Sequence, residues 1–203
     1  MNLRSLLTLA VLASASAAHA QIAEAYATAN FTHLSNIQVA GFTSSGVTSD
    51  FYKSITPVGI GGGITYNFLQ LPFVKLGLDA RGSTRPGING ADTALGGIKL
   101  TVSPPRLKPK FFIEGAAGYL ATRVDSTGTY TAGTGSVTSI GQENNKFALY
   151  EIIGGVDYPL IHFIDFRVEA GGGSGFGFDS IFGNSLGGYP HVFTANTGIV
   201  VHF

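Results

Sequence analysis

No cysteine and no tryptophan occur anywhere in the 203 residues, and methionine appears once. The missing cysteines exclude a disulfide framework and every metal centre built on thiolates. Charge is also scarce. Asp, Glu, Lys and Arg together make up 12% of the chain, against a usual share of about 25%. What charge there is balances, 12 basic residues against 12 acidic, so no basic surface points to a nucleic-acid partner. Beyond the first 20 residues no stretch approaches the ~20 consecutive apolar residues that a membrane-spanning helix needs.

What is present is glycine, 29 residues of it, and an aromatic share of 11%. The opening "MNLRSLLTLAVLASASAAHAQ" sets Arg4 before a short apolar stretch and Ala18-His19-Ala20 before Gln21. This is the pattern of a secretory signal peptide cleaved after Ala20, and the apolar stretch is too short to cross a bilayer of ~30 Å as a helix. The expected organisation is a signal peptide over 1–20 and one domain over 21–203, in an exported protein. An exported chain that is apolar but lacks long apolar runs reaches a membrane only by alternation, the mark of a transmembrane β-barrel.

A period of two is clearest in "FVKLGLDAR", residues 73–81. There Val74, Leu76, Leu78 and Ala80 would face lipid, and Lys75, Gly77, Asp79 and Arg81 would face inward. "IDFRVEA", residues 164–170, repeats the pattern with Asp165, Arg167 and Glu169 inward. Six further segments complete the set: 23–32, 58–68, 94–102, 112–122, 147–158 and 192–203. The expected fold class is therefore all-β, an up-and-down antiparallel transmembrane barrel of eight strands, an even count as bacterial barrels require.

The connections alternate long (34–56, 82–93, 123–146, 172–191) with short ("LQLP", "SPPRLKPK", "PLIH"). Long loops belong outside the cell and short turns in the periplasm. Phe68, Phe73, Phe112, Tyr158, Phe163 and Phe203 fall at the short-turn ends of their strands and form the expected periplasmic aromatic girdle. The last strand closes on Ile199, Val201 and Phe203, one face of an extended chain. Tyr130 and its neighbours in 123–146 are read as exposed loop residues.

On "KPKFFIEGAAGY" and "FALYEIIGGVDYPLIHFIDFRVE" the chain resembles the small eight-stranded outer-membrane barrels of the OmpA and OmpX type, over nearly all of 22–203. That resemblance implies residence in the outer membrane of a Gram-negative-type envelope, among its lipid and lipopolysaccharide. It also implies that Ile199, Val201 and Phe203 are the signal read by the barrel-assembly machinery. Relatives that bind peptidoglycan do so through a separate periplasmic domain, which has no counterpart in 21–203.

The inward charges expected from alternation are Glu24, Lys75, Asp79, Arg81, Lys99, Glu114, Glu151, Asp157, Asp165, Arg167 and Glu169. An eight-stranded interior is only just wide enough for side chains to fill, so these are read as a salt-bridged plug, with Lys99 and Glu114 as the first expected pair. A narrow ion or solute path is the alternative. The clusters "GIGGGITY" and "GGGSGFGF" carry no Gly-Lys-Ser or Gly-Lys-Thr and precede no helix, which argues against phosphate binding. The five His show no metal-ligand spacing, so no metal and no cofactor is expected.

In "THLSN", His33 and Ser35 share a face two residues apart, the minimum for a base-activated hydroxyl, which normally also needs an acid. The H-x-S-N pattern resembles that of outer-membrane lipid A deacylases. In that family it lies towards the C-terminal half with a downstream Glu, whereas here it sits on the first strand. The expected role is structural or surface-interacting, not enzymatic, with Ser-, Thr-, Gly- and Asn-rich loops as the face for an unidentified extracellular ligand.

Overall fold

The computed structural model describes residues 22–44, 47–132, 135–139, 141–177 and 189–203. The expected signal peptide and most of the last expected loop lie outside the described residues. The strands are β1 (Ala23–Ser44), β2 (Val47–Ile55), β3 (Val58–Gln70), β4 (Val74–Arg85), β5 (Gly90–Val102), β6 (Lys110–Asp125), β7 (Gly128–Ala132), β8 (Gly135–Ser139), β9 (Gln142–Ile161), β10 (Ile164–Gly177) and β11 (His191–His202). Eight of them, β1, β3, β4, β5, β6, β9, β10 and β11, pair antiparallel in that order. Strand β11 then returns to β1, from Glu24 opposite His202 to Ser35 opposite His191. Closing the ring pairs the backbone edges that an open sheet would leave bare.

Alternation explains why these residues make a wall rather than a sandwich. On β10, Asp165, Arg167 and Glu169 are buried while Phe166 and Val168 are exposed, and on β4 Asp79 is buried beside an exposed Leu78. The polarity is inverted relative to a soluble domain. Ile60, Ile64, Ile98, Ile113 and Ile152 all stand exposed on the outer wall, with Ile60 68% accessible. An apolar surface of that extent is stable only against hydrocarbon, so the barrel is built to be surrounded by lipid.

At one end the connections are tight. Leu71 N donates to Val74 O at 2.8 Å, and β9 passes to β10 through His162 and Phe163 alone. At the other end the strands run well past the expected boundaries. The stretch 34–56, expected as a loop, is the upper half of β1 folded back onto β2, and 123–146 contains the β7–β8 hairpin and the start of β9. Likewise β4 continues to Arg85 and β5 resumes at Gly90. Above the apolar belt a strand has no lipid face to alternate against, so hydrophobic periodicity disappears while the hydrogen-bonded ladder continues.

Asn36, at φ 62°, marks a register shift between Leu34 and Ile37. The bulge re-aims the strand, so that Leu34, Ile37 and Val39 all bury. With Ile55, Leu95, Leu120, Val124, Leu149 and Val192 they form an apolar cluster across the long-hairpin end of the barrel. The hairpins fold onto it. The rings of Phe51 and Tyr130 lie 5.1 Å apart, and Lys53 Nζ donates to Asp125 O at 3.0 Å. Tyr130 is therefore partly buried against the cluster, its hydroxyl donating to Ser126 O, and not the free loop residue expected from its polar surroundings.

Candidate functional site

The chemistry of this chain is concentrated inside the barrel, below the apolar cluster. Glu24 on β1 sets the parity that turns Tyr26, Thr28 and Asn30 inward, and each is buried. Asp79 and Arg81 face them from β4, Lys99 from β5, Glu114 from β6, Glu151 and Asp157 from β9, and Arg167 and Glu169 from β10.

These groups form two linked clusters. In the first, Arg81 reaches three carboxylates: Asp79 at 3.1 Å, Glu169 at 2.9 Å and Glu114. Asp79 also accepts from Tyr26 Oη at 2.7 Å and from Thr65 Oγ1, and Glu169 accepts from Asn196 Nδ2 at 2.9 Å. In the second, Arg167 grips Asp157 with two parallel bonds, Nε to Oδ1 and Nη2 to Oδ2, both 2.7 Å. Its guanidinium carbon lies 4.5 Å from the Tyr26 ring centroid and 4.7 Å from that of Phe112. Lys99 Nζ donates to Glu24 Oε2 at 3.0 Å and sits 4.8 Å over Phe112. Asn67 donates to the other Glu24 oxygen at 3.1 Å. Tyr26, bonded to Asp79 and stacked on Arg167, joins the two clusters.

Near the tight-turn end, Lys110 and His202 converge on one Asp165 oxygen at 2.7 and 2.8 Å. Lys75 is half-buried at the same end. Towards the apolar cluster, Arg85 and Glu151 are buried but form no ion pair among the described residues, where Arg85 Nε and Nη1 and Glu151 Oε1 also have no hydrogen-bond partner. They line a gap of about 20 Å³, room for roughly one water.

Two expectations are corrected. Lys99 and Glu114 stand directly opposite in register, yet they do not pair. Arg81's forked guanidinium takes Glu114 together with two other acids, and the single ammonium of Lys99 is used by Glu24 and the Phe112 face. Phe112 itself is not a girdle residue. It is 5% exposed and points inward, because it shares the parity of Glu114, and Phe111 takes the outward place. Phe68, Phe73, Tyr158, Phe163 and Phe203 are exposed at the tight-turn end, where Ile199 and Val201 occupy the outer face of β11.

Glycines on the barrel wall, one in "GIGGGITY" and one on β9, make room for these rings. A Cβ on Gly63 would collide with the Tyr26 hydroxyl, and one on Gly155 would meet the Phe112 ring. Sequence reasoning did not single out Tyr26, Asn67, Arg85, Lys110, Asn196 or His202, although the parity fixed by Glu24 and Asp165 was the signal that could have found most of them.

His33 lies on the outer wall with Nδ1 3.0 Å from Thr56 Oγ1, and Ser35 sits at the bulge. Among the described residues no carboxylate lies within ion-pair distance of His33, and no group of acids and His could hold a metal. Above the belt, Arg123 grips Asp92 through two bonds of 2.6 and 3.2 Å. Those bonds hold the Asp92 carboxyl below the usual aspartate range.

No protein-family profile matches the sequence, and no curated protein does. Solved structures do. Neisserial surface protein A aligns over 91% of this chain and 99% of its own, with a TM-score of 0.54 and 10% identity. The N-terminal β-barrel domain of Pseudomonas aeruginosa OprF covers 91% of this chain and all of its own at 13% identity and a TM-score of 0.41. Ail of Yersinia pestis covers 89% of this chain and 98% of its own at 10% identity and 0.44. With its closed ring, its lipid-facing apolar wall and its likeness to Neisserial surface protein A, this chain has the fold of the small eight-stranded outer-membrane β-barrels.

Proposed function

We propose that the protein is an exported, integral outer-membrane barrel with a structural or surface-interaction role, whose interior is a closed plug and whose outer hairpins are the face offered to extracellular partners. Lipid and lipopolysaccharide surround the wall, and no cofactor takes part. The observation that carries this reading is the interior itself: two ion-pair clusters bridged by Tyr26 fill one half, and an apolar cluster from Leu34 to Val192 crosses the other. A permeating ion would have to displace buried, mutually bonded charges and then cross a layer that offers it no ligand. That argues against the narrow channel.

Reconstituted into planar bilayers, the wild-type protein is expected to give no steady conductance. Replacing Leu120 and Leu149 together with Ser, which leaves the charged half intact, should raise leak. Sustained single-channel openings in wild type would overturn the plug.

The lipid A-modifying alternative rests on His33 and Ser35. Thr56, rather than an acid, is the hydrogen-bond partner of His33 Nδ1, which leaves the imidazole without the group that would orient it for base catalysis. Lipid A from cells producing wild type and the Ser35→Ala variant should carry the same acyl chains. Loss of a chain with wild type alone would make the barrel an enzyme.

A further inference from the structure

The two ends of the barrel differ in the sign of the charge they show. At the long-hairpin end acids and bases mix: Asp50, Glu143 and Lys146 are exposed, and Asp92 and Arg123 are paired. At the tight-turn end, Glu24, Asp157 and Asp165 are buried. Among the described residues the exposed charged side chains there are Arg106 and Lys108, with Lys75 and Lys110 half-buried behind them. Neither Arg106 nor Lys108 makes an ion pair among the described residues.

Both project from the turn 103–109, the longest connection at this end. The turn is held to the wall and stiffened. Ser103 N donates to Phe73 O at 2.8 Å, Leu107 N donates to Pro104 O at 3.2 Å, and Pro104, Pro105 and Pro109 restrict the backbone. Within the 104–107 turn Arg106 adopts φ 92°, a conformation that costs glycine nothing and an arginine some strain. A cation thus occupies the position where glycine is cheapest. Leu107, 59% exposed, stands between the two cations at the end where Phe73, Phe163 and Phe203 are exposed. Three residues of extended chain reach at most about 10 Å past the apolar belt. That is comparable to the headgroup layer of about 5–7 Å on each side of the hydrocarbon.

We propose that the 103–109 turn docks on the phosphate groups of anionic phospholipid in the leaflet at the tight-turn end, with Arg106 and Lys108 on the phosphates and Leu107 in the headgroup–acyl boundary. This rests on the reading of the chain as a membrane-embedded barrel. The fit is one of charge and polarity. Two cations without an ion-pair partner among the described residues flank an apolar side chain at the end that carries exposed aromatic residues, where the described residues show no exposed acidic side chain. Each cation at an anionic surface is worth about a fivefold factor in the equilibrium, so the pair gives about 25-fold.

The test uses the full mature chain folded into vesicles of phosphatidylcholine alone, or with one third phosphatidylglycerol, at low salt. Urea unfolding is followed by heat-modifiable gel mobility. Wild type should unfold with an equilibrium constant about 25-fold smaller in the anionic vesicles, and the difference should fade in high salt. The Arg106→Gln/Lys108→Gln variant should lose most of it, while Lys53→Gln/Lys146→Gln, at the opposite end, should keep it. Both variants change exposed or half-buried side chains, and their folding in neutral vesicles is the internal control.

An equal response in wild type and in the Arg106/Lys108 variant overturns the proposal, as does no response in wild type. Arg106- and Lys108-dependent sedimentation with cell-wall polymer, without a vesicle effect, also overturns it by naming another partner. Failure of wild type to fold into either vesicle is a separate result, because it overturns the membrane reading itself.

Discussion

Arg167→Met removes a charge from the best-bonded position in the barrel while keeping most of the stem volume. Arg167 is 0% exposed, holds Asp157 by two 2.7 Å bonds and lies between the Tyr26 and Phe112 rings. Without it, Asp157 keeps, among the described residues, only Lys99 at 4.0 Å, an ammonium already given to Glu24 at 3.0 Å. Breaking a buried pair from one side costs roughly 3–5 kcal/mol, mainly because the surviving charge stays buried. The lost ring contacts add about 0.5–2 kcal/mol each at most. Removing both charges is far milder, since an apolar or neutral substitute for a whole buried pair is often close to neutral. Urea unfolding in lipid vesicles, followed by circular dichroism and by gel mobility without heating, should place Arg167→Met at least about 3 kcal/mol below wild type. The Arg167→Met/Asp157→Asn double variant should recover more than about 2 kcal/mol of that loss. Stability within about 1 kcal/mol of wild type for the single variant, or a double variant no better than the single, would refute the account of the plug.

Gly155→Val should drive the Phe112 ring off Lys99 and Arg167, costing about 1–3 kcal/mol by overpacking in the same assay; an unchanged midpoint would mean the ring does not need that space. The Asp92–Arg123 grip should show in the pH dependence. Because Asp92 titrates below its ordinary value in the folded protein, its contribution is complete above about pH 4 and is lost as pH falls through the lowered folded value. The stability gap between wild type and Asp92→Asn should therefore narrow from pH 6 towards pH 3, by a small amount because both groups are partly solvated; a gap that widens would reverse the sign of the linkage.

The barrel was legible in the sequence wherever lipid imposes a rule on every second residue. On β4 and β10 the inward set of Asp79, Arg81, Asp165, Arg167 and Glu169 emerges from alternation alone. Past the belt the rule lapses, and with it the visibility of β2, β7, β8 and the upper parts of β1, β6 and β9, whose Ser-, Thr- and Asn-rich residues look like loops. The same loss hid the apolar cluster. Its members come from six strands, and Ile37 and Val39 bury only because the bulge at Asn36 resets the parity of β1. Parity was also the correction available for Phe112. A residue two positions from an inward Glu114 must itself point inward, however well an aromatic at a strand end suits a girdle.

Which inward charges pair is a harder question than which charges point inward, and the reason is geometric. Register neighbours such as Lys99 and Glu114 are adjacent along the wall, but in an interior this narrow a long side chain also reaches strands across the ring. Arg81 on β4 meets Glu169 on β10 and Glu114 on β6, and Lys99 on β5 meets Glu24 on β1. Pairing is therefore settled by the number of donors each cation offers and by where the rings stand. Glycines at positions such as 63 and 155 leave space for Tyr26 and Phe112, the two rings fix the plane of Arg167, and that plane presents both Nε and Nη2 to Asp157. The glycine excess of the composition and the charge network are thus one feature: without side chains at those wall positions, a ring this small has room for its aromatic and ionic interior.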